Sequence, residues 1–345
     1  MSLFEVKEID REIYNSKIKE YLPARIIDAH SHVWLKDFKL PDGAKQRATA
    51  WSALIAEDSP IEELIETYNL LFEGKEVIPV IFGKPATNYD LGKCNKYVEK
   101  TGKENNFPTL FLSSPYMDEE EFEKSIIDGG HKGSKVYLNF SPSYIPGNEI
   151  RIFDFLPHHQ LKVLDRHGWI CMLHIPRPGR LKDPVNIAQL LEIEEKYKNI
   201  KLIVAHVGRA YAEEDMGDAF EKLGKTENML FDISANVNST VFVKLIETVG
   251  PKRILFGTDF PVFRMRGKRI VENGVYYNLI PKGLYGDVSG EKHMREVEEA
   301  ISNTFTFMIY EEILAFKDAS EKTGLTKNDI EDVFFNNAAR IFNIK

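Results

Sequence analysis

The chain has few cysteines. Cys94 and Cys171 are the only two, and they lie far apart. That excludes a disulfide framework and a zinc ribbon, and it fits a reducing compartment. No apolar run approaches the length of a membrane span, and the first 22 residues are too charged for a signal peptide. A cytoplasmic protein is the expectation. Positive charge is not in excess: 45 Lys plus Arg face 53 Asp plus Glu, a net charge of −8. This disfavours a nucleic-acid surface and gives no support to binding an anionic membrane. No G-x-G-x-x-G follows the first apolar run, and neither a G-x-S-x-G elbow nor a P-loop is present. Dinucleotide-binding, acyl-serine and nucleotide-hydrolysing readings therefore carry little weight. There is no short-period repeat, no low-complexity tract and no linker rich in Gly, Pro or Ser. A single domain over residues 1–345 is expected. Apolar residues at 43% and charged residues at 28% are ordinary for a globular chain with a full core.

What is present is an alternation. Eight short apolar runs stand at Arg25–His30, Val77–Phe82, Thr109–Ser113, Gly133–Leu138, Trp169–His174, Lys201–His206, Met229–Ser234 and Arg253–Thr258. They are nearly continuous in Val, Ile, Leu and Phe, as strands covered on both faces should be. Helical patterns separate them, including Ser59–Leu71, Glu119–Ile127, Asp154–Arg166, Asn186–Lys198 and Thr240–Val249. Eight strands alternating with helices predict an α/β fold, a (β/α)8 TIM barrel over about residues 25–342. An open doubly wound sheet is the rival. Two insertions exceed a minimal barrel, Val33–Pro60 after the first strand and Phe260–Glu299 after the eighth. Loops after strands build the active face of a barrel, so both read as lids or substrate walls, or else as dimer arms. A helical C-terminus, Ala300–Phe342, follows.

The histidines carry the chemistry. Of nine, His30 and His32 end the first predicted strand, His174 the fifth and His206 the sixth, while Asp259 follows the eighth. A lone histidine at such a position is more often a satisfied core residue. Five polar residues at strand ends are another matter, because chance burial would scatter them along the strands. Imidazole and carboxylate suit Zn²⁺ and related ions, and one open position lets the ion activate water.

The motifs RIIDAHSH (25–32), MLHI (172–175), AHVG (205–208), GTDFP (257–261) and NAARIF (337–342) resemble those of the amidohydrolase superfamily, closest to its amidohydrolase-2 group of metal-dependent TIM-barrel hydrolases and decarboxylases. The resemblance runs from about Ile26 to Phe342. It implies that His30, His32, His174 and Asp259 hold one divalent metal, with Zn²⁺ expected and Mn²⁺ or Fe²⁺ as alternatives. His206 would stand beside it as a polarising or proton-handling group. A bound ion lowers the pKa of its water from ~15.7 towards roughly 7. Asp259 would take the proton and pass it to the leaving group, and His206 would donate to the developing oxyanion. The group also contains decarboxylases and hydratases. The expected activity is thus hydrolysis of a small carboxylate-bearing substrate. The alternatives are decarboxylation or hydration on the same site, and a barrel that only binds a ligand.

Lys135 lies in the fourth strand on the parity of Tyr137. It reads as a substrate anchor, as a carboxylated lysine bridging two metals, or as a solvated strand-start lysine. Arg177, Arg180 and Arg209 follow the fifth and sixth strands, and Arg264 and Arg266 follow Asp259. A guanidinium near a metal suits bidentate capture of a carboxylate, so Lys135, Arg177, Arg180 and Arg209 are the expected substrate-binding residues. Trp34, Tyr137, Tyr211 and Phe263 are candidate walls. Asp28 shares the parity of His30 and reads as an orienting residue or as the partner of an inward cation. A homodimer is the expected assembly, from the resemblance and the long insertions.

Overall fold

The structure is a computed structural model and describes residues 4–41 and 52–345. Eight parallel strands form the frame: β1 (Arg25–His32), β2 (Glu76–Phe82), β3 (Phe111–Leu112), β4 (Gly133–Val136), β5 (Ile170–Leu173), β6 (Lys201–Val204), β7 (Leu230–Asp232) and β8 (Ile254–Leu255). β1 pairs with β2, and β3 to β8 pair in sequence order. Backbone bonds join the two sheets at both seams. Leu110 N–H donates to Ile81 O at 3.1 Å beside a parallel bridge from Ile81 to Thr109. On the other side Ala29 donates to Phe256 O at 2.9 Å and His32 to Phe260 O at 2.8 Å. The strands therefore run in chain order around a ring, as a TIM barrel requires.

The barrel interior is apolar at its lower end. Ile27, Ala29, Val80, Leu110, Met172, Ile203 and Leu255 form one buried cluster, and Ala338, Ile341 and Phe342 from the last helix (Asn337–Phe342) close it from below. The surrounding helices follow the expected pattern. Ser239–Val249 buries Val241, Phe242, Leu245, Ile246 and Val249, the spacing of one face of a helix. Glu119–Gly129 starts at Asp118, whose carboxylate accepts from Glu121 N–H, and stops at Gly130 with φ 70°.

The insertions take specific forms. Residues 42–51 of the first lie outside the described residues, but its flanks are fixed by a bridge between Trp34 and Ser59. The second holds a three-stranded sheet that the sequence reading did not anticipate: β9 (Lys268–Glu272), β10 (Val275–Pro281) and β11 (Met294–Val297). β9 and β10 form a hairpin on Asn273-Gly274, with φ of 51° and 74°. Two left-handed residues are what a two-residue hairpin of this twist demands.

One sequence expectation fails at β1. Its register shifts between Asp28 and Ser31. The irregularity breaks strict alternation, so Ala29 joins the interior cluster while Asp28 takes the Tyr68 hydroxyl at 2.6 Å. Asp28 pairs with no inward cation. It accepts from the His30 N–H at 3.0 Å and from the Thr258 N–H at 3.0 Å and hydroxyl at 2.5 Å. It thus fixes the backbone at the ends of β1 and β8, the two strands that carry His30 and Asp259.

Candidate metal centre

Polar residues replace apolar ones at the upper end of the barrel. His30 Nε2 and His32 Nε2 lie 3.5 Å and 3.4 Å from the same oxygen, Asp259 Oδ1. Their other ring nitrogens are already committed: His30 Nδ1 to Asp232 Oδ2 at 2.9 Å and His32 Nδ1 to the Gly83 carbonyl at 2.9 Å. Those acceptors place the ring protons on Nδ1. The two Nε2 atoms then turn lone pairs toward a carboxylate oxygen, and among the described residues only that of His30 has a neighbouring donor, Lys135 Nζ at 3.0 Å. Lone pairs arranged this way repel unless a cation or protons stand among them. A divalent ion fits this donor set, because a carboxylate and neutral imidazoles are the ligands it takes.

Among the described residues, two sets lie close enough to share an ion: His30, His32 and Asp259, and His30, His206 and Asp232. His174 is in neither. Its ring lines the same cavity at 5.4 Å from the His206 ring, and its buried Nδ1 has no hydrogen-bond partner. A buried polar atom left unpaired is costly and marks a place for a missing partner. Lys135 is completely buried, and its Nζ stands 3.0 Å from His30 Nε2. The solvated-lysine reading of Lys135 therefore does not hold.

The electrostatics follow from burial. Desolvation pushes the pKa values of His30, His32, His174 and His206 down, leaving the rings neutral at pH 7. Burial also lowers Lys135, to about 8. For Asp259 burial acts upward, while a hydrogen bond from His32 and the attraction of His206 and His30 in their protonated forms act downward and prevail, so the carboxyl is pulled down to about 2. His206 is oriented by Ser234. Its Nδ1 lies 3.1 Å from the Ser234 carbonyl and 2.9 Å from the hydroxyl, which itself donates to Asp232. The proton therefore sits on Nδ1, and neutral His206 offers Nε2 as an acceptor. Donation to an oxyanion, the role read from sequence, requires His206 to gain a proton first.

Local backbone explains why these side chains converge. His206, Val207, Gly208 and Arg209 all have positive φ, between 49° and 62°, and Asp259 has φ 51°. Such conformations are disfavoured outside glycine and concentrate at functional sites. The turn after β6 is anchored by His206 N–H donating to Asp232 Oδ1 at 2.9 Å. A Cβ at Gly208 would meet Leu181 Cδ1 at 2.5 Å, so this position needs glycine.

These residues line a cavity of about 310 Å³. Its charged lining is Lys39, Lys84, Lys135, Arg209 and Arg269 against Glu57 and Asp259. A protein of net charge −8 thus has a cavity wall in which cations outnumber acids. Of the predicted substrate residues, Lys135 and Arg209 line it. Arg209 is held by the carbonyls of Ile175, Pro176 and Arg177 at 3.2–3.3 Å and has no carboxylate partner among the described residues. Arg177 and Arg180 do not line it. Arg177 pairs with Asp183 at 3.0 Å and Arg180 with Asp215 at 2.6 Å. Arg264 and Arg266 also pair elsewhere, with Glu63 and Asp10. Trp34, Tyr137 and Tyr211 wall the cavity, whereas Phe263 lies buried beneath Arg269. Several cavity or site residues escaped the sequence reading, Asp232, Arg269 and Tyr276 among them. Asp232 obeys the same strand-end rule as the histidines. Arg269 and Tyr276 sit on the hairpin that Asn273-Gly274 announces.

A (β/α)8 barrel with histidines and an aspartate gathered at the carboxyl ends of its strands defines a class of hydrolytic and lyase enzymes that work on a bound ion. A sequence profile of that class, described as Amidohydrolase, matches residues 27–269. The chain belongs to the amidohydrolase family, and it is an enzyme of that family. None of the curated proteins matches it in sequence. Solved structures share the fold at low identity. An amidohydrolase from Burkholderia multivorans with bound HEPES is 12% identical, with 93% of this chain and 100% of that one covered and a TM-score of 0.58. A probable 2-pyrone-4,6-dicarboxylic acid hydrolase from Acinetobacter baumannii with citric acid bound is 15% identical over 92% and 99%, TM-score 0.55. A dihydroxybenzoic acid decarboxylase from Polaromonas sp. JS666, with manganese and the inhibitor 2-nitroresorcinol, is 13% identical over 93% and 98%, TM-score 0.54.

Proposed function

We propose that the chain hydrolyses a C–O or C–N bond of a small carboxylate-bearing substrate, with one divalent ion held by His30, His32, His174 and Asp259. The observation that carries this reading is the convergence of His30 Nε2 and His32 Nε2 on Asp259 Oδ1 at 3.5 and 3.4 Å, with both Nδ1 atoms committed to other acceptors. A divalent ion held there, Zn²⁺ in first place, would supply Lewis acidity and lower the pKa of a water. Asp259, whose pKa is low, is the residue placed to take a proton from an attacking water and would return it to the leaving group. His206 accepts at Nε2 and is steadied by Ser234 and Asp232. Arg209 and Arg269 are the carboxylate contacts, since both line the cavity and neither has an acidic partner among the described residues. Two buried free cysteines suit the reducing, cytoplasmic setting this reading assumes.

A second reading has support from the walls. Trp34, Tyr137, Tyr211 and Tyr276 present aromatic rings to the cavity, which suits a planar aromatic acid, and the structural relatives include decarboxylases. Release of CO₂ without uptake of water would favour it.

The test joins metal analysis to turnover on a panel of lactones, esters and aromatic acids. One ion per chain is expected, with activity lost on chelation and restored by the metal. Asp259→Asn should keep the fold and lose turnover by roughly 10³-fold or more, as loss of a general base with its charge does. Full turnover by metal-free protein, or near-normal activity in Asp259→Asn, overturns the reading.

A further inference from the structure

The cavity holds a second cation far from Arg209 around the ring. Lys84 follows β2, and Arg209 follows β6. In an eight-strand ring taken in chain order, β2 and β6 stand opposite one another. The two residues therefore approach the cavity from opposite walls, with the His30–His32–Asp259 cluster between them. The Lys84 ammonium lies 4.1 Å from the Trp34 ring centre and 4.6 Å from that of Tyr89. Aromatic faces on two sides hold a cation in place without neutralising it. Lys84 makes no ion pair among the described residues. Glu57 lines the same cavity but lies outside ion-pair distance, and exposed Lys39 adds a further positive charge. In the same loop, Asn88 carries a side-chain oxygen that is buried and has no hydrogen-bond partner. Its amide is thus free to turn and present either its NH₂ or its oxygen to a ligand.

We propose that Lys84, with the Asn88 amide, forms a second anion subsite, and that the substrate is at least dianionic, with a second acidic group on the far side of the cleaved bond. This rests on the carboxylate reading above, which puts the first acidic group at Arg209 and Arg269. A caged, unpaired lysine then has a reason: it selects diacids over monoacids. Its rigid aromatic cradle keeps the ordering cost of the contact low.

The test is calorimetric binding of benzoate, isophthalate and terephthalate to the metal-replete enzyme. The tighter of the two dicarboxylates should bind about ten-fold or more better than benzoate, the gain of one desolvated charge-assisted contact. Lys84→Met should collapse that ratio to less than about two-fold, the loss falling on the dicarboxylate, while Lys84→Arg should retain it. Lys84→Gln replaces Lys84→Met if the latter does not fold. A ratio that survives both neutral variants overturns the proposal, as does a wild-type enzyme that binds benzoate and gains nothing from a second carboxylate. If none of the three acids binds, the carboxylate reading itself fails. Arg209→Met separates the two claims, because it should weaken all three ligands together.

Discussion

Lys84 keeps its ammonium in a partly dry place, and burial with the nearby Lys39 pushes its pKa down to about 8. The sign of the consequence follows. The charge is present below that pH and lost as pH rises through it, so the dicarboxylate preference should shrink between pH 7 and 9. Lys135 titrates near the same value, to about 8, and faces the same cavity. Cys94, raised to about 11 by burial, stays neutral in this window. Lys84→Arg separates the two lysines, because a guanidinium keeps its charge across the range. The ratio should stay flat in Lys84→Arg; a decline equal to that of wild type would place the titration at Lys135. At this scale the sequence was legible for the residues that end strands. His30, His32, His174, His206 and Asp259 could be placed because each interrupts an apolar run where it stops. Lys84 and Asn88 could not. They sit in the loop Gly83–Asp90, where no periodicity says which side chain turns inward. Asp28 was placed on the wrong face because strict alternation ignores a shifted register.

Elements meet at buried polar joints, and one of them titrates. His131 follows the helix Glu119–Gly129, and its Nδ1 bonds the Thr109 hydroxyl at 2.7 Å, tying that helix end to the segment before β3. Burial lowers the His131 pKa to about 4. The unfolded chain binds this proton below about 6.5 and the folded chain does not, so stability falls as pH drops from 6.5 towards 4. A shift of this size corresponds to about 3 kcal/mol when complete. Denaturant unfolding of wild type and His131→Gln at pH 7, 6, 5 and 4 should show a shallower loss in the variant, by about that amount at the acid end. Parallel slopes would remove His131 as the cause. Element existence was readable from sequence where burial on two faces wrote a continuous apolar run. Element length was not. The runs around Phe111 and Ile254 suggested five or six residues, but β3 and β8 keep two paired residues each, because both lie next to the seams where the ring closes with single bridges. The hairpin β9–β10 was readable and unread, its signal being one Asn-Gly between two β-branched segments.

The whole molecule separates stability from chemistry along the barrel axis. The floor is apolar and sealed by Phe342, Ile341 and Ala338, while His30, His32, His206, Asp232 and Asp259 gather toward the other end of the strands. Phe342 is fully buried, so truncating it opens a void that a closed ring of strands has little freedom to fill. Phe342→Ala should therefore cost ~3–5 kcal/mol of unfolding free energy. The cavity lies at the far end of the strands from this floor, and Asp28 fixes the ends of β1 and β8 independently of it. Metal content and turnover per folded molecule should thus stay within about two-fold of wild type, since separated sites act nearly additively. Denaturant unfolding gives the first quantity, and metal analysis with kcat/KM on the folded fraction gives the second. A variant that stays folded but loses its metal would show that the floor sets the geometry of the upper layer, and the division of labour along the axis would have to be given up.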